Sequence, residues 1–201
     1  MKVMRKLTLA IAPAVLAAGV TLTSTSPAHA LGAGRVCVFV APKGAKGAGH
    51  VGWAFQEPPK DHWFFGATEG QPGEEGGPNS KKINPGQNNG AWEDNGTWQK
   101  VKDAFRNAKS GEHPDGYYKQ YTCKNTSNSS VHAADLQGQA NKSRGYYLWG
   151  NNCMNHGYDV LKTYGADLSD PNNPDWINNW APNLWVKQLI LVARFDQLAN
   201  L

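Results

Sequence analysis

The sequence predicts an α+β domain in which a small antiparallel sheet packs on a helix that begins with a cysteine. Two observations carry this. Val36–Val40, His50–Gln56 and His62–Glu69 are short runs rich in β-branched and aromatic residues, set between turn-forming segments. Apolar residues at three- and four-residue steps mark helices at Trp98, Val101, Phe105 and Ala108, and again at Met154, Tyr158, Leu161 and Tyr164. No repeat of fixed period is present.

Residues 1–30 read as a secretory signal outside this domain. Lys2, Arg5 and Lys6 precede an apolar run from Leu7 to Leu22, and Ala28-His29-Ala30 is a small-x-small cleavage site. The expected mature chain, 31–201, begins at Leu31. Removing 30 of 201 residues leaves 171, enough for one compact domain with a substantial core. The signal holds three of the twenty basic residues and none of the sixteen acidic ones, so the net charge of +4 falls to +1. A near-neutral surface gives no reason to expect nucleic acid or an anionic membrane as partner.

The elements follow in order. After the Val36–Val40 strand comes a Gly- and Lys-rich loop, Ala41–Gly49. The next two strands flank Pro58-Pro59-Lys60-Asp61 and form a hairpin. Gly70–Gly96, dominated by Gly, Pro, Asn and charged residues, reads as a long exposed loop. Thr97 is the expected cap of a helix ending near Gly111. Tyr117–Cys123 is a further β-prone run, Asn125–Ser130 a polar loop and Val131–Ala140 a short helix. Tyr146–Trp149 leads into the cysteine helix, with Asn152 as its cap, Cys153 as its first residue and Gly165 as its stop. Asn172–Asn183 is an Asn/Pro/Trp loop. The C-terminal helix, Leu184–Leu198, is too interrupted by Lys187, Arg194 and Asp196 to span a bilayer.

An exported chain meets an oxidising compartment, where cysteines tend to pair. The three here, Cys37, Cys123 and Cys153, leave at least one thiol free or bound to another chain. Cys37 and Cys123 lie on strands that one sheet could bring together, and the helix-start Cys153 is the natural one to stay free. Spacing does not fix that connectivity. At a helix N-terminus the unpaired amides and the positive dipole end favour thiolate over thiol, as a nucleophile requires. On position alone, a buried or disulfide-bonded Cys153 carries equal weight.

A cysteine nucleophile needs a base oriented by a third group. His113 and His132 fall in loop or surface contexts. His156, three residues after Cys153, shares its helix face, but parallel side chains are poorly placed for proton abstraction. As a metal-ligand pair, Cys153 and His156 lack a second spaced pair, so neither metal nor cofactor is expected. His50 differs from all of these. It opens a strand after a Gly-rich loop, from where it could project from the sheet edge toward a helix start.

Gly49-His50-Val51-Gly52-Trp53-Ala54-Phe55, Phe65-Gly66-Ala67-Thr68-Glu69, and Asn151-Asn152-Cys153 with Val160-Leu161-Lys162-Thr163-Tyr164-Gly165 resemble a circularly permuted NlpC/P60-type domain. This papain-like group includes the lecithin:retinol acyltransferase-like proteins, in which the histidine strand precedes the Asn-Cys helix. Ala181-Pro182-Asn183-Leu184-Trp185 is similar to a Pro-Asn-x-aromatic element of some secreted or toxin-linked members. The resemblance spans about His50 to Trp185. It implies a papain-like fold, Cys153 as nucleophile and His50 as general base. For the third member it offers His62, twelve residues after His50. Hairpin pairing about a turn near Pro59 instead sets His62 beside Gln56 and returns Thr68 or Glu69 to His50. Glu69 is therefore preferred and His62 is the alternative. Asn151 or Asn152, with the Cys153 amide, would bind the oxyanion. Met154-Asn155-His156 departs from the acidic residue and His-Phe of the acyltransferase-like proteins, which argues against a lipid acyl substrate.

The expected function is a secreted cysteine hydrolase that attacks an amide, in a peptide or cell-wall peptide, through an acyl-enzyme on Cys153. Two alternatives stand beside it: a non-enzymatic binding or inhibitor protein on the same scaffold, and a lipid acyl hydrolase or acyltransferase. Eight tryptophans raise a wall- or carbohydrate-binding surface. Helical spacing assigns Trp98 to the core, whereas Trp176 and Trp180, in a polar loop, are the better surface candidates.

Overall fold

A computed structural model describes residues 32–70, 82–108, 117–168 and 181–201. The signal segment and Leu31, His113, Trp176, Trp180 and most of the Asn172–Asn183 loop lie outside the described residues.

The fold is α+β. Its six strands are β1 (Gly34–Ala41), β2 (His50–Gln56), β3 (Trp63–Thr68), β4 (Ala91–Gly96), β5 (Gln120–Thr126) and β6 (Ala199–Asn200). They form one antiparallel sheet in the order β4-β3-β2-β1-β5-β6. The helices are α1 (Trp98–Asn107), α2 (Val131–Asn141), α3 (Cys153–Tyr164) and α4 (Pro182–Leu191).

The central strands are buried on both faces, and their period of two sorts side chains between two cores. Val36, Val38 and Val40 of β1, with Val51, Trp53 and Phe55 of β2, meet Met154, Tyr158 and Leu161 of α3 and Trp185 and Leu189 of α4. Cys37, Phe39 and Ala41 point the other way, toward Val101 and Phe105 of α1. Phe39 and Phe105 stack at 3.9 Å between ring centroids. Removing either ring would cost about 3–5 kcal/mol in transfer and cavity terms. Cys37 and Cys123 are register partners on β1 and β5 and are joined by a disulfide; Cys153 is free. Among the described residues no helix is long and apolar enough to cross a membrane.

Three expectations need correction. Part of the expected Gly70–Gly96 loop is β4, a polar edge strand that hydrogen-bonds to β3 and lacks the apolar alternation that marks a strand in sequence. The C-terminal helix ends at Leu191 rather than Leu198. Beyond it Phe195 is buried, Arg194 turns the chain at φ 59°, and the Asp196 amide donates to the Cys123 carbonyl at 2.8 Å, so the segment joins the sheet edge and ends in β6. The Tyr117–Cys123 run becomes β5 only from Gln120, and it continues through Asn125 into what reads as loop, because β1 pairs with it as far as Thr126.

Candidate active site

The backbone around Cys153 forms as its residue types dictate. Asn152 is extended at φ −116°, ψ −171°, and its Oδ1 accepts the amides of Met154 and Asn155 at 2.9 and 3.5 Å. Asn155 Oδ1 accepts the Asn152 amide in return at 3.1 Å, completing a capping box. Gly165 closes the helix at φ 119°, a left-handed conformation that glycine adopts without a Cβ penalty. Cys153 is therefore the first residue of a well-capped helix, at its positive end. The Asn152 side chain serves this cap, and its Nδ2 donates to the Leu148 carbonyl at 2.6 Å. It positions Cys153 through the backbone, and that role commits the amide proposed for the oxyanion.

The β2–β3 ladder brings the other two groups together. Gly52 pairs with Ala67, and two further residues along each strand set His50 opposite Glu69. His50 Nε2 lies 2.9 Å from Glu69 Oε2. This contact is a close charge pair rather than a well-aligned hydrogen bond, since neither atom gains a properly directed partner. The other carboxylate oxygen is anchored by two donors, Trp92 Nε1 at 2.8 Å and the Tyr118 hydroxyl at 3.0 Å. With Nε2 committed to Glu69, Nδ1 is the nitrogen left for the hydrogen bond between His50 and the Cys153 side chain.

Electrostatics make the group one unit. Burial opposes the charge on all three residues, with His50 at 3% and Cys153 at 4% exposure. In each case the partners outweigh it. Against that desolvation, the charges on Cys153 and Glu69 hold His50 well above the ordinary histidine value. The His50 charge and hydrogen bond, with the Val51 amide, draw the Cys153 thiol below the ordinary cysteine value. Glu69 is likewise held below the usual carboxylate range by His50, Trp92 and Tyr118. All three shifts favour the charged forms, thiolate, imidazolium and carboxylate.

Tyr146 is a functional candidate that sequence reasoning missed. Burial and the adjacent thiolate push its phenol well up, keeping it a neutral donor, and it meets both the backbone amide and the side chain of Cys153. Its position comes from a bridge in which Ile83 and Tyr146 exchange both backbone hydrogen bonds at 2.9 Å. Sixty-three residues separate those partners in sequence, so no local signal announces the contact.

The other histidines among the described residues lie outside this group. His62 sits at the far end of the hairpin, one register step from the expected place beside Gln56, because Gln56 pairs with Trp63. There it contacts Glu57 Oε2 at 2.9 Å and Asn95 Oδ1 at 3.3 Å. His132 is exposed on α2. His156 is completely buried, with Nδ1 at 2.8 Å from Thr68 Oγ1 and Nε2 at 3.0 Å from Asn151 Oδ1. Burial and the nearby Arg144 charge push it down to about 3, so it is neutral and bridges the end of β3 to the loop before Cys153. Among the described residues no group of three or more His, Cys, Asp or Glu is placed to hold a metal ion. No family model, no curated protein and no solved structure matches this chain.

Proposed function

We propose that this chain is a secreted cysteine hydrolase that cleaves an amide bond, in a peptide or cell-wall peptide, through an acyl-enzyme on Cys153. The observation that carries the reading is the buried Cys153–His50–Glu69 arrangement, with the nucleophile on a helix N-terminus and its base held by an anchored carboxylate. The papain-like resemblance points the same way, and the intramolecular disulfide fits an oxidising compartment.

In this mechanism the Cys153 thiolate attacks the carbonyl carbon. The tetrahedral oxyanion is met by the Cys153 amide and the Tyr146 hydroxyl. His50 gives its proton to the leaving nitrogen as the C–N bond breaks, leaving a thioester. It then takes a proton from water, whose hydroxyl adds to the acyl carbon, and release of the acid regenerates the thiolate and imidazolium. Glu69 keeps the ring aligned through both steps.

The near-complete burial of Cys153 favours one competing reading, a binding or inhibitor protein in which the charge triad is structural. Alkylation of Cys153 by iodoacetamide across pH, combined with turnover of wall peptides, model amides and esters, separates the two. The hydrolase reading expects rapid labelling well below the free-thiol pKa of about 8.5, slower labelling in His50→Ala, and no turnover in His50→Ala or Cys153→Ser. A Cys153 that labels like a free thiol, in a protein whose Cys153→Ser variant keeps its biological effect, overturns it. Turnover of esters alone selects the lipid acyl alternative.

A further inference from the structure

The loop that delivers His50 is held in a conformation its own residues do not favour. Ala45, Lys46, Gly47 and Gly49 all have positive φ, at 45°, 55°, 95° and 98°. Ala45 and Lys46 are not glycine, and L-residues with a Cβ occupy that region at an energetic cost. Backbone bonds within the loop, such as Gly49 N–H to the Gly44 carbonyl at 2.8 Å, are joined by an external restraint from the second residue of α4. Asn183 Nδ2 donates to the carbonyls of Pro42 and Gly47, both at 3.0 Å, and its backbone amide donates to Ala48 O at 3.1 Å. All three donors of this asparagine go to one loop. The contact is tight from the other side as well. A Cβ on Gly49 would fall 2.4 Å from Asn183 Oδ1, so only glycine allows the approach. The loop in turn walls the imidazole, since a Cβ on Gly44 would lie 2.6 Å from His50 Cβ and 2.5 Å from the Tyr117 hydroxyl.

We propose that Asn183 is a positioning residue of this site, holding His50 against Cys153 and Glu69 by clamping the Pro42–Gly49 loop. The inference rests on the reading of Cys153 and His50 as an activated pair. The physical link is short. Gly49 adjoins His50, and the ring must meet a thiolate on one nitrogen and a carboxylate 2.9 Å away on the other. A displacement of about 1 Å weakens both contacts together. Asn183 touches none of the three reacting groups, so its effect passes through the loop.

The test reads the Cys153 thiol, which needs no knowledge of substrate. In folded Asn183→Ala protein, with unchanged far-ultraviolet circular dichroism, the thiolate titration should move up by about one pH unit. Iodoacetamide labelling at a pH well below the wild-type midpoint should then slow about tenfold. Gly49→Ala attacks the same contact from the loop side without altering α4, and should shift the profile in the same direction. It carries the test if Asn183→Ala does not fold. A variant that loses thermal stability yet keeps the wild-type labelling profile shows a merely structural asparagine and overturns the proposal. A wild-type Cys153 that titrates as an ordinary thiol overturns the paired-site reading, and this inference with it.

Discussion

Lowering the pH from 7 to 5 should destabilise the fold by about 2 kcal/mol through His156 alone. In an unfolded chain this imidazole titrates near 6.5, whereas in the fold burial and Arg144 push it down to about 3. Between those values the unfolded state holds one proton more than the native state. Stability therefore falls as pH falls, at about 1.36 kcal/mol per pH unit. The roughly 1.5 units between 6.5 and 5 give about 2 kcal/mol, or about 4–8 °C in melting temperature for a domain of this size. His50 contributes with the opposite sign. Its raised value gives stability that is fully present below 6.5 and is lost as pH rises through the folded value, so it adds no loss in this window. The measurement is urea unfolding of wild type and His156→Gln at pH 7, 6 and 5. Glutamine keeps hydrogen-bonding groups for Thr68 and Asn151 but does not titrate. It should cost about 1–2 kcal/mol at pH 7, and the gap should close by about 2 kcal/mol at pH 5. Parallel curves, or a His156 nuclear magnetic resonance titration centred near 6.5, would refute the reasoning. The consequence reaches the site, because His156 ties the residue before Glu69 to the residue before the Asn152 cap.

Replacing both bridged cysteines by alanine removes a link across 86 residues of sequence. Chain entropy puts its contribution at about 4.5 kcal/mol, so calorimetry should show melting lower by roughly 9–18 °C; a loss under about 1 kcal/mol would contradict the entropic account. The folded double variant should retain the Cys153 labelling profile, since the bridge packs in the α1-facing core. Glu69→Gln keeps the shape but removes the charge opposite His50, so the imidazole value should fall and turnover should drop about a hundredfold or more. If His62→Ala is the damaging change and Glu69→Gln is silent, the triad assignment is wrong.

The parts legible in sequence are those whose causes are local. Asn152, Cys153 and Gly165 specify a capped helix with residues that touch one another along the chain, and β2 is read with its observed bounds because apolar and β-branched residues fill it. The pairing of His50 with Glu69 follows from one hairpin turn, and even a single register step of error at His62 leaves it intact. The clamp from Asn183, the Trp92 and Tyr118 anchors and the Tyr146 hydroxyl depend on contacts across 23 to 141 residues of sequence. Their signals in sequence are ordinary asparagine and aromatic residues, indistinguishable from core filling. β4 and β6 escape notice for a related reason. Each is an edge element defined by the strand it pairs with rather than by its own composition.

Cys153, His50 and Glu69 stand or fall together. Burial is the largest influence on each and favours the neutral form every time. The imidazolium survives because both anions are present, and each anion survives because the imidazolium is, although Glu69 itself opposes the thiolate, so the group titrates as a unit. Removing the imidazole would leave two anions facing each other in a buried site, and both would move toward protonation. Removing the carboxylate would weaken the imidazolium while lifting a like charge from the thiolate. Groups this buried cost stability relative to well-packed apolar side chains of similar size. A scaffold that needed only to fold would gain from an apolar residue at 153. Packing alone does not explain such a group, and the proposed acyl transfer would. Replacing the whole group, in a Cys153→Val, His50→Leu, Glu69→Gln variant, tests this argument without stranding a buried charge: the hydrolase reading expects melting at or above the wild-type temperature with all activity lost. A sharp loss of stability would identify the triad as a structural ion cluster.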